Sequence, residues 1–329
     1  MKNTLTDVPG LEVGHAHDLE ALTGVTVILC RQGAIGGVDV RGSAPGTRET
    51  DLLHPLNLVQ KVHAIVLAGG SAFGLDAASG VMKYLEEHNI GFETGAGVVP
   101  IVPAAILFDL NLGRGDVRPD ASMGYRATSA AQAGLVEEGN VGAGAGASVG
   151  KIFGNRSAMK SGLGTASLEI GAGVVVGALA AVNAFGDVID PESGNIIAGA
   201  RSLELGPFKI GEQGYFANTL HVMQTLAGRT ALQFATRSNT VIGVVATNAR
   251  LSKTEANKMA QMAHDGLARV IRPAHTMLDG DTIFALSTGT KRADISTVGA
   301  FAAEVFGQAC LRAVQTAKSA GGLPGLGDL

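Results

Sequence analysis

A hydroxyl side chain is a weak nucleophile until a neighbouring group takes its proton. The triplet Ser238-Asn239-Thr240 therefore draws notice, because it stands directly ahead of the apolar run 241–247, VIGVVAT. Were the chain cut before Thr240, the freed α-amine, with an ordinary pKa of about 8, would share one residue with the hydroxyl and could act as its base. The competing reading is a polar turn entering a strand. Three further features bear on the choice. Lys151 lies in the Gly/Ala-rich run 142–151, GAGAGASVGK, where an unpaired buried ammonium would be costly, so it either reaches solvent or meets a carboxylate. Asn183 ends a long apolar stretch, where its amide needs partners. Asp279-Gly280-Asp281 is an acidic pair that also suits a plain turn.

Other familiar chemistry does not fit. With Gly150-Lys151 in the Gly-Lys slots of a phosphate loop, Ala145 stands where the first Gly belongs and Ile152 where the magnesium-binding hydroxyl belongs. The dinucleotide pattern reaches only Ala147 or Val149 at its third glycine. Gly69-Gly70-Ser71-Ala72-Phe73 is no nucleophile elbow, because Phe73 replaces the second Gly, and Ser71 reads as a helix cap. His15-Ala16-His17 reads as loop and lacks a third ligand, so a metal hydrolase is disfavoured and no metal is expected.

These residues must be held by a mixed framework. Residues 24–30, 64–67, 170–182, 241–247 and 282–286 read as strands, and 170–182, apolar without alternation, suits a sheet buried on both faces. Helical spacing follows Ser71, recurs over 121–133 after Pro119, and marks 295–317. Ser252 and Glu255 have capping-box spacing ahead of the stripe Ala256, Met259, Ala260, Ala263, Leu267 and Val270. Residues 200–239 show no strong period and read as a poorly specified connector. Strands and helices mix throughout 329 residues, which is long enough for a substantial core. That core relies on aliphatic and small side chains, since aromatics are 4% and Trp is absent.

Net charge of −4 argues against a general nucleic-acid binder, which needs Lys and Arg against phosphates. Residues 1–10 lack the apolar segment of a secretory signal and 170–182 is too short to span a bilayer, so the expectation is a cytoplasmic protein with no membrane partner. Cys30 and Cys310 have no metal spacing and read as buried thiols.

Taken together, VPGLEVGHAHD near the start, the Gly69 to Asp76 run GGSAFGLD, Gly150-Lys151, Asn239-Thr240, VVATNA and Leu278-Asp279-Gly280-Asp281-Thr282 resemble, in order and over nearly the whole chain, the P1 family of self-processing hydrolases. That family contains L-aminopeptidase/D-amidase-esterases, β-peptidyl aminopeptidases and nylon oligomer hydrolases. The resemblance implies an α+β fold, a four-layer αββα sandwich, forming one hydrolase domain over 1–329. It implies a cut between Asn239 and Thr240 into an α subunit, 1–239, and a β subunit, 240–329, with Thr240 as the new terminal nucleophile. It further implies that Lys151 lies close to the nucleophile, that Asn183 donates to the oxyanion, and that Asp279 and Asp281 lie beside the nucleophile. Small peptide or amide substrates, no cofactor, and a homo-oligomer of α/β pairs complete the expectation. One departure stands out: Leu107-Phe108-Asp109 carries Phe108 where the nylon hydrolase branch has a Tyr, which leaves the substrate open. The alternatives are an acyltransferase of the ornithine acetyltransferase type, which also cuts itself before a Thr, and a degenerate relative that binds without catalysis.

Overall fold

The computed structural model describes residues 1–205, 208–210, 214–225, 228 and 239–328. Ser238 and residues 229–237 before it, the last part of the expected connector, lie outside the described residues. Nine strands form the main sheet: β1 (Glu12–Asp18), β2 (Thr23–Val40), β3 (Thr47–Arg48), β4 (Lys61–Ala68), β5 (Ala104–Ile106), β6 (Leu163–Glu169), β7 (Val175–Asn183), β8 (Thr240–Ala249) and β9 (Thr282–Lys291). Their order is β6-β7-β8-β9-β2-β4-β5-β3, with β1 pairing β2 off this path. Among the described residues five α-helices accompany them: α1 (Ala77–Glu87), α2 (Ala121–Ser129), α3 (Thr219–Gln224), α4 (Lys253–Val270) and α5 (Ile295–Gln315). The fold is thus mixed α+β.

Side chains alternate across each strand, and here both faces are apolar. In β8, Val241 and Val245 join a core with Met259, Ala263 and Leu267 of α4 and Val298, Ala302 and Phe306 of α5. Ile242 and Val244, on the opposite face, join Ile28 of β2 and Ile65 and Leu67 of β4. The other face of β2 and β4, through Val27, Leu29, Ala64 and Val66, packs on Ala78, Val81 and Leu85 of α1 and Met123 and Ala127 of α2. The 18-residue β2 joins these regions, with its first half on β1 and β4 and its last residues on β9. Small side chains on both faces explain how a core with few aromatics closes.

Two pairings set the site. β7 and β8 are antiparallel, so the end of β7 meets the start of β8, with Asn183 opposite Thr240. β8 and β9 are parallel, a pairing that requires a crossover, and α4 supplies it. The residues just before β9 therefore come to lie beside those just before β8, and Asn239 bridges Asp279.

Several expectations are met. The capping box at Ser252 and Glu255 opens α4, and Cys30 and Cys310 are free and buried. Others need correction. The single strand expected over 170–182 is interrupted, because Gly171 and Gly173 adopt left-handed φ of 101° and 70° and turn the chain between β6 and β7. Ser71 does not cap a helix: it follows Gly70 into the 3-10 turn Ser71–Asp76, has φ of 55°, and α1 begins only at Ala77. His15 and His17 lie in β1 rather than a loop. The connector also has local order, a two-stranded hairpin of Leu203–Leu205 with Phe208–Ile210 and the helix α3.

Candidate active site

Thr240 heads β8 and is buried, at 5% exposure. Directly opposed residues on antiparallel strands project to the same face of a sheet, so the Thr240 and Asn183 side chains share one side. The Thr240 hydroxyl donates to the Asn239 carbonyl oxygen. The same oxygen accepts the Gly280 N–H at 3.0 Å. Two donors therefore polarise the carbonyl immediately before Thr240.

Lys151 arrives from the Gly-rich loop. Gly150, with φ of 73°, turns the chain where an added Cβ would sit 2.0 Å from the Ala200 nitrogen. The Gly150 and Lys151 N–H groups then bond the Gly186 and Phe185 carbonyls, both at 3.0 Å, which ties the loop to the chain beyond β7. Lys151 Nζ donates to Asn183 Oδ1 at 2.6 Å and to the Asn183 carbonyl at 3.1 Å. Ser148 N–H also donates to Asn183 Oδ1, at 3.1 Å, and Asn183 Nδ2 donates to the Phe108 carbonyl at 2.9 Å. The amide orientation of Asn183 is thus fixed from both ends. Burial pulls the Lys151 ammonium down to about 7, against the opposing pull of the Asp279 and Asp109 carboxylates.

The acidic pair divides its work. Asp281 Oδ1 accepts the Val241 N–H at 2.7 Å, and Oδ2 accepts the His275 backbone N–H at 3.2 Å and faces His275 Nδ1 at 2.7 Å. This carboxylate anchors the start of β8 to the 275–281 loop. Asp279 Oδ2 accepts from the Thr276 N–H at 2.9 Å and the Thr276 hydroxyl at 2.5 Å. Burial, reinforced by the Asp281 charge, pushes the Asp279 carboxyl above its usual range. The backbone of 41–44 closes over the turn, with Arg41 N–H on the Asp281 carbonyl and Ala44 N–H on that of Asp279.

The fold therefore brings together all six residues named from the sequence: Asn239, Thr240, Lys151, Asn183, Asp279 and Asp281. Sequence reasoning passed over Asp109, Ser148, His275 and Thr276. His275 carried no recognisable spacing among scattered histidines, although it stands only four residues before Asp279. Asp109 was overlooked because its neighbour Phe108 drew the comparison. Among the described residues no group of three or more His, Cys, Asp or Glu is arranged to hold a metal ion, and no helix is long and apolar enough to cross a membrane.

A buried hydroxyl, an amine of lowered basicity, an oriented amide and a polarised carbonyl are the parts of acyl-transfer chemistry. Known proteins point the same way. An uncharacterised aminopeptidase of Mycobacterium tuberculosis is 44% identical, over 99% of this chain and 98% of its own length. A 6-aminohexanoate-oligomer endohydrolase of Kocuria sp. is 34% identical, over 94% of this chain and 85% of its own. Among solved structures, an L-aminopeptidase D-Ala-esterase/amidase of Ochrobactrum anthropi, described as a variant of the Ntn hydrolase fold, superposes with a TM-score of 0.73 at 20% identity, covering 98% of this chain and 88% of that one. A Burkholderia sp. β-aminopeptidase gives 0.69 at 24% identity, covering 99% and 91%. At those identities the likeness shows the fold alone, a mixed α+β fold with Ntn-hydrolase neighbours. The model of peptidase family S58 matches residues 3–326, so the chain belongs to that family and is a hydrolase.

Proposed function

We propose that this hydrolase activates itself by cutting before Thr240 and then hydrolyses short peptides or amides through an acyl-enzyme on the Thr240 hydroxyl. The observation that carries this reading is the contact of the Thr240 hydroxyl with the Asn239 carbonyl, beside Asn183, Lys151 and the Asp279-Gly280-Asp281 turn. In the first stage Thr240 Oγ attacks the Asn239 carbonyl carbon and neutral Lys151 takes the hydroxyl proton. The Gly280 N–H supports the developing oxyanion. The C–N bond breaks, the Thr240 nitrogen takes up a proton as a free amine, and water opens the resulting ester. This leaves residues 1–239 and 240–329 as separate chains.

In turnover the same hydroxyl attacks a substrate amide, and the Thr240 amine receives its proton and passes it to the leaving amine. Asn183 supports the tetrahedral oxyanion, and water releases the acyl group. The family relation supports peptide or amide substrates. The three successive cores support an arrangement of two inner layers, both formed by the nine-stranded sheet, between two outer helix layers. Leu56 and Leu58, 88% and 80% exposed in one loop, support assembly of α/β pairs into an oligomer. Free buried thiols suit work in a reducing cytoplasm.

Intact-mass measurement tests the reading. Wild-type protein is expected as two chains split at Asn239-Thr240 and active on a short amino-acid anilide, with Thr240→Ala a single inactive 33.3 kDa chain. Activity in uncut wild-type protein, or a cut Thr240→Ala chain, would overturn it.

A further inference from the structure

Two Gly-rich segments converge on one buried carboxylate. Asp109, 4% exposed, accepts the Gly70 N–H at 2.7 Å on Oδ1 and the Thr23 hydroxyl at 2.7 Å on Oδ2. A Cβ on Gly69 would lie 1.9 Å from Asp109 Oδ2, and one on Gly146 would lie 2.6 Å from Asp109 Cβ, so both loops are bare where they enclose it. The residue before it, Phe108, supplies the carbonyl that takes an Asn183 amide hydrogen at 2.9 Å. Asp109 and Lys151 also line the same small cavity, together with Phe108 and Ser148.

We propose that Asp109 is a positioning residue of the active site: its carboxylate clamps the 108–109 segment so that the Phe108 carbonyl holds Asn183, and its charge stands opposite Lys151. The inference rests on the proposed roles of Asn183 and Lys151, and it assigns Asp109 no contact with substrate. A clamp of two charge-assisted hydrogen bonds suits the task, since such bonds are roughly twice as strong as neutral ones. Lys151 faces Asp109 and Asp279, the latter beside Asp281 with its His275 partner. Asp109 faces Lys151 and Lys160, and Lys160 Nζ is occupied by the Gly144 carbonyl at 3.2 Å and the Ser161 carbonyl. Burial raises the Asp109 carboxyl, against the Gly70 and Thr23 hydrogen bonds and the Lys151 charge.

Two substitutions separate charge from clamp. Asp109→Asn keeps the shape, and the Thr23 hydroxyl rotates to accept from the new amide. Without the opposing charge Lys151 gives up its proton more readily, so its titration moves to lower pH by about half a unit or more. NMR of lysine-labelled full-length Thr240→Ala protein reads this directly, with Lys151→Arg identifying the signal. The Lys151 limb of the pH dependence of self-cleavage moves the same way in Asp109→Asn. Thr23→Val removes one clamp bond and no charge, so kcat falls about threefold or more with KM within about twofold and the pH limb unmoved. A folded Asp109→Asn in which Lys151 titrates as before, or a Thr23→Val with unchanged kcat, overturns the proposal. Should Asp109→Asn fail to fold, Thr23→Val decides alone. Should wild-type protein never cut itself, the functional reading falls, while the NMR titration, which needs no cleavage, still decides the Asp109–Lys151 relation.

Discussion

Asn183 and Thr240 are direct partners across β7 and β8, and Lys151 Nζ lies 2.6 Å from the Asn183 side-chain oxygen. The candidate nucleophile, amide donor and amine thus derive their relation from one strand pairing and one loop. Asn183→Ala removes the amide while leaving the ladder intact. Hydrolysis of a short anilide is expected to fall by about 10²–10³ in kcat, the usual loss for one oxyanion donor. An unchanged kcat would make Asn183 a structural residue.

Buried lysines tie stability to pH. Burial lowers both Lys151 and Lys160 to about 7, whereas in the unfolded chain a lysine titrates near 10.4. Below pH 7 each is charged in both states and the folded state carries the full cost of the buried charge. Between about pH 7 and 10.4 the unfolded chain binds more protons, so stability rises with pH. Lys160→Met, made in Thr240→Ala so that chain continuity is constant, removes one such contribution. Relative to its parent, this variant loses about 1 kcal/mol per pH unit between pH 7.5 and 9.5, measured by urea unfolding. A difference that stays flat with pH would show that Lys160 keeps its proton in the folded state across that range.

Asp281 is expected to matter more to the framework than to proton transfer. Both its oxygens are engaged, by Val241 N–H and by His275. Asp281→Ala leaves the buried Val241 N–H unpaired at a cost of about 1–3 kcal/mol. In the Thr240→Ala background the melting temperature should fall by about 1–4 °C, at about 1.4 °C per kcal/mol for a chain of 329 residues. A full-height melting temperature would refute the anchoring role.

Gly280 leaves no room beside Thr240. A Cβ there would lie 2.5 Å from the Ala44 carbonyl oxygen and 2.9 Å from Thr240 Oγ1. Gly280→Ala is expected to slow appearance of the 240–329 chain by at least about tenfold, by displacing the hydroxyl or the turn. Gly95→Ala, where a Cβ meets nothing within 4 Å, serves as the control and should mature at the wild-type rate. Equal rates in the two variants would remove the argument from crowding.

Much of this arrangement was readable from residue order, and the parts that were not have physical causes. The strands at 241–247 and 282–286 and the capped helix between them stand out because long apolar runs and local caps are short-range signals. Thr240, Lys151, Asn183 and the acidic pair were named through motifs. What periodicity does not reveal is register: that β8 and β9 run parallel, setting Asp279 beside Asn239, follows from long-range packing. The long β2 reads as a strand over 24–30 only, because Gly33, Gly36 and Gly37 interrupt the apolar pattern, whereas the structure carries it on to Val40, with an irregularity in its pairing to β4 between Leu29 and Ala34 and its last residues on β9. Asp109 and His275 escaped notice for a related reason. Each acts through partners distant in the chain or through a turn geometry, and neither leaves a pattern in local composition.

The strand headed by Thr240 lies inside the main sheet, with β7 on one flank and β9 on the other. A break before it would sever the backbone and leave the ladder with β7 and the shared apolar cores in place. The two pieces would then travel together through any native separation and part only in denaturant. Scission here would act as a chemical event at one atom pair, with the scaffold that aims the new amine already built before the bond opens.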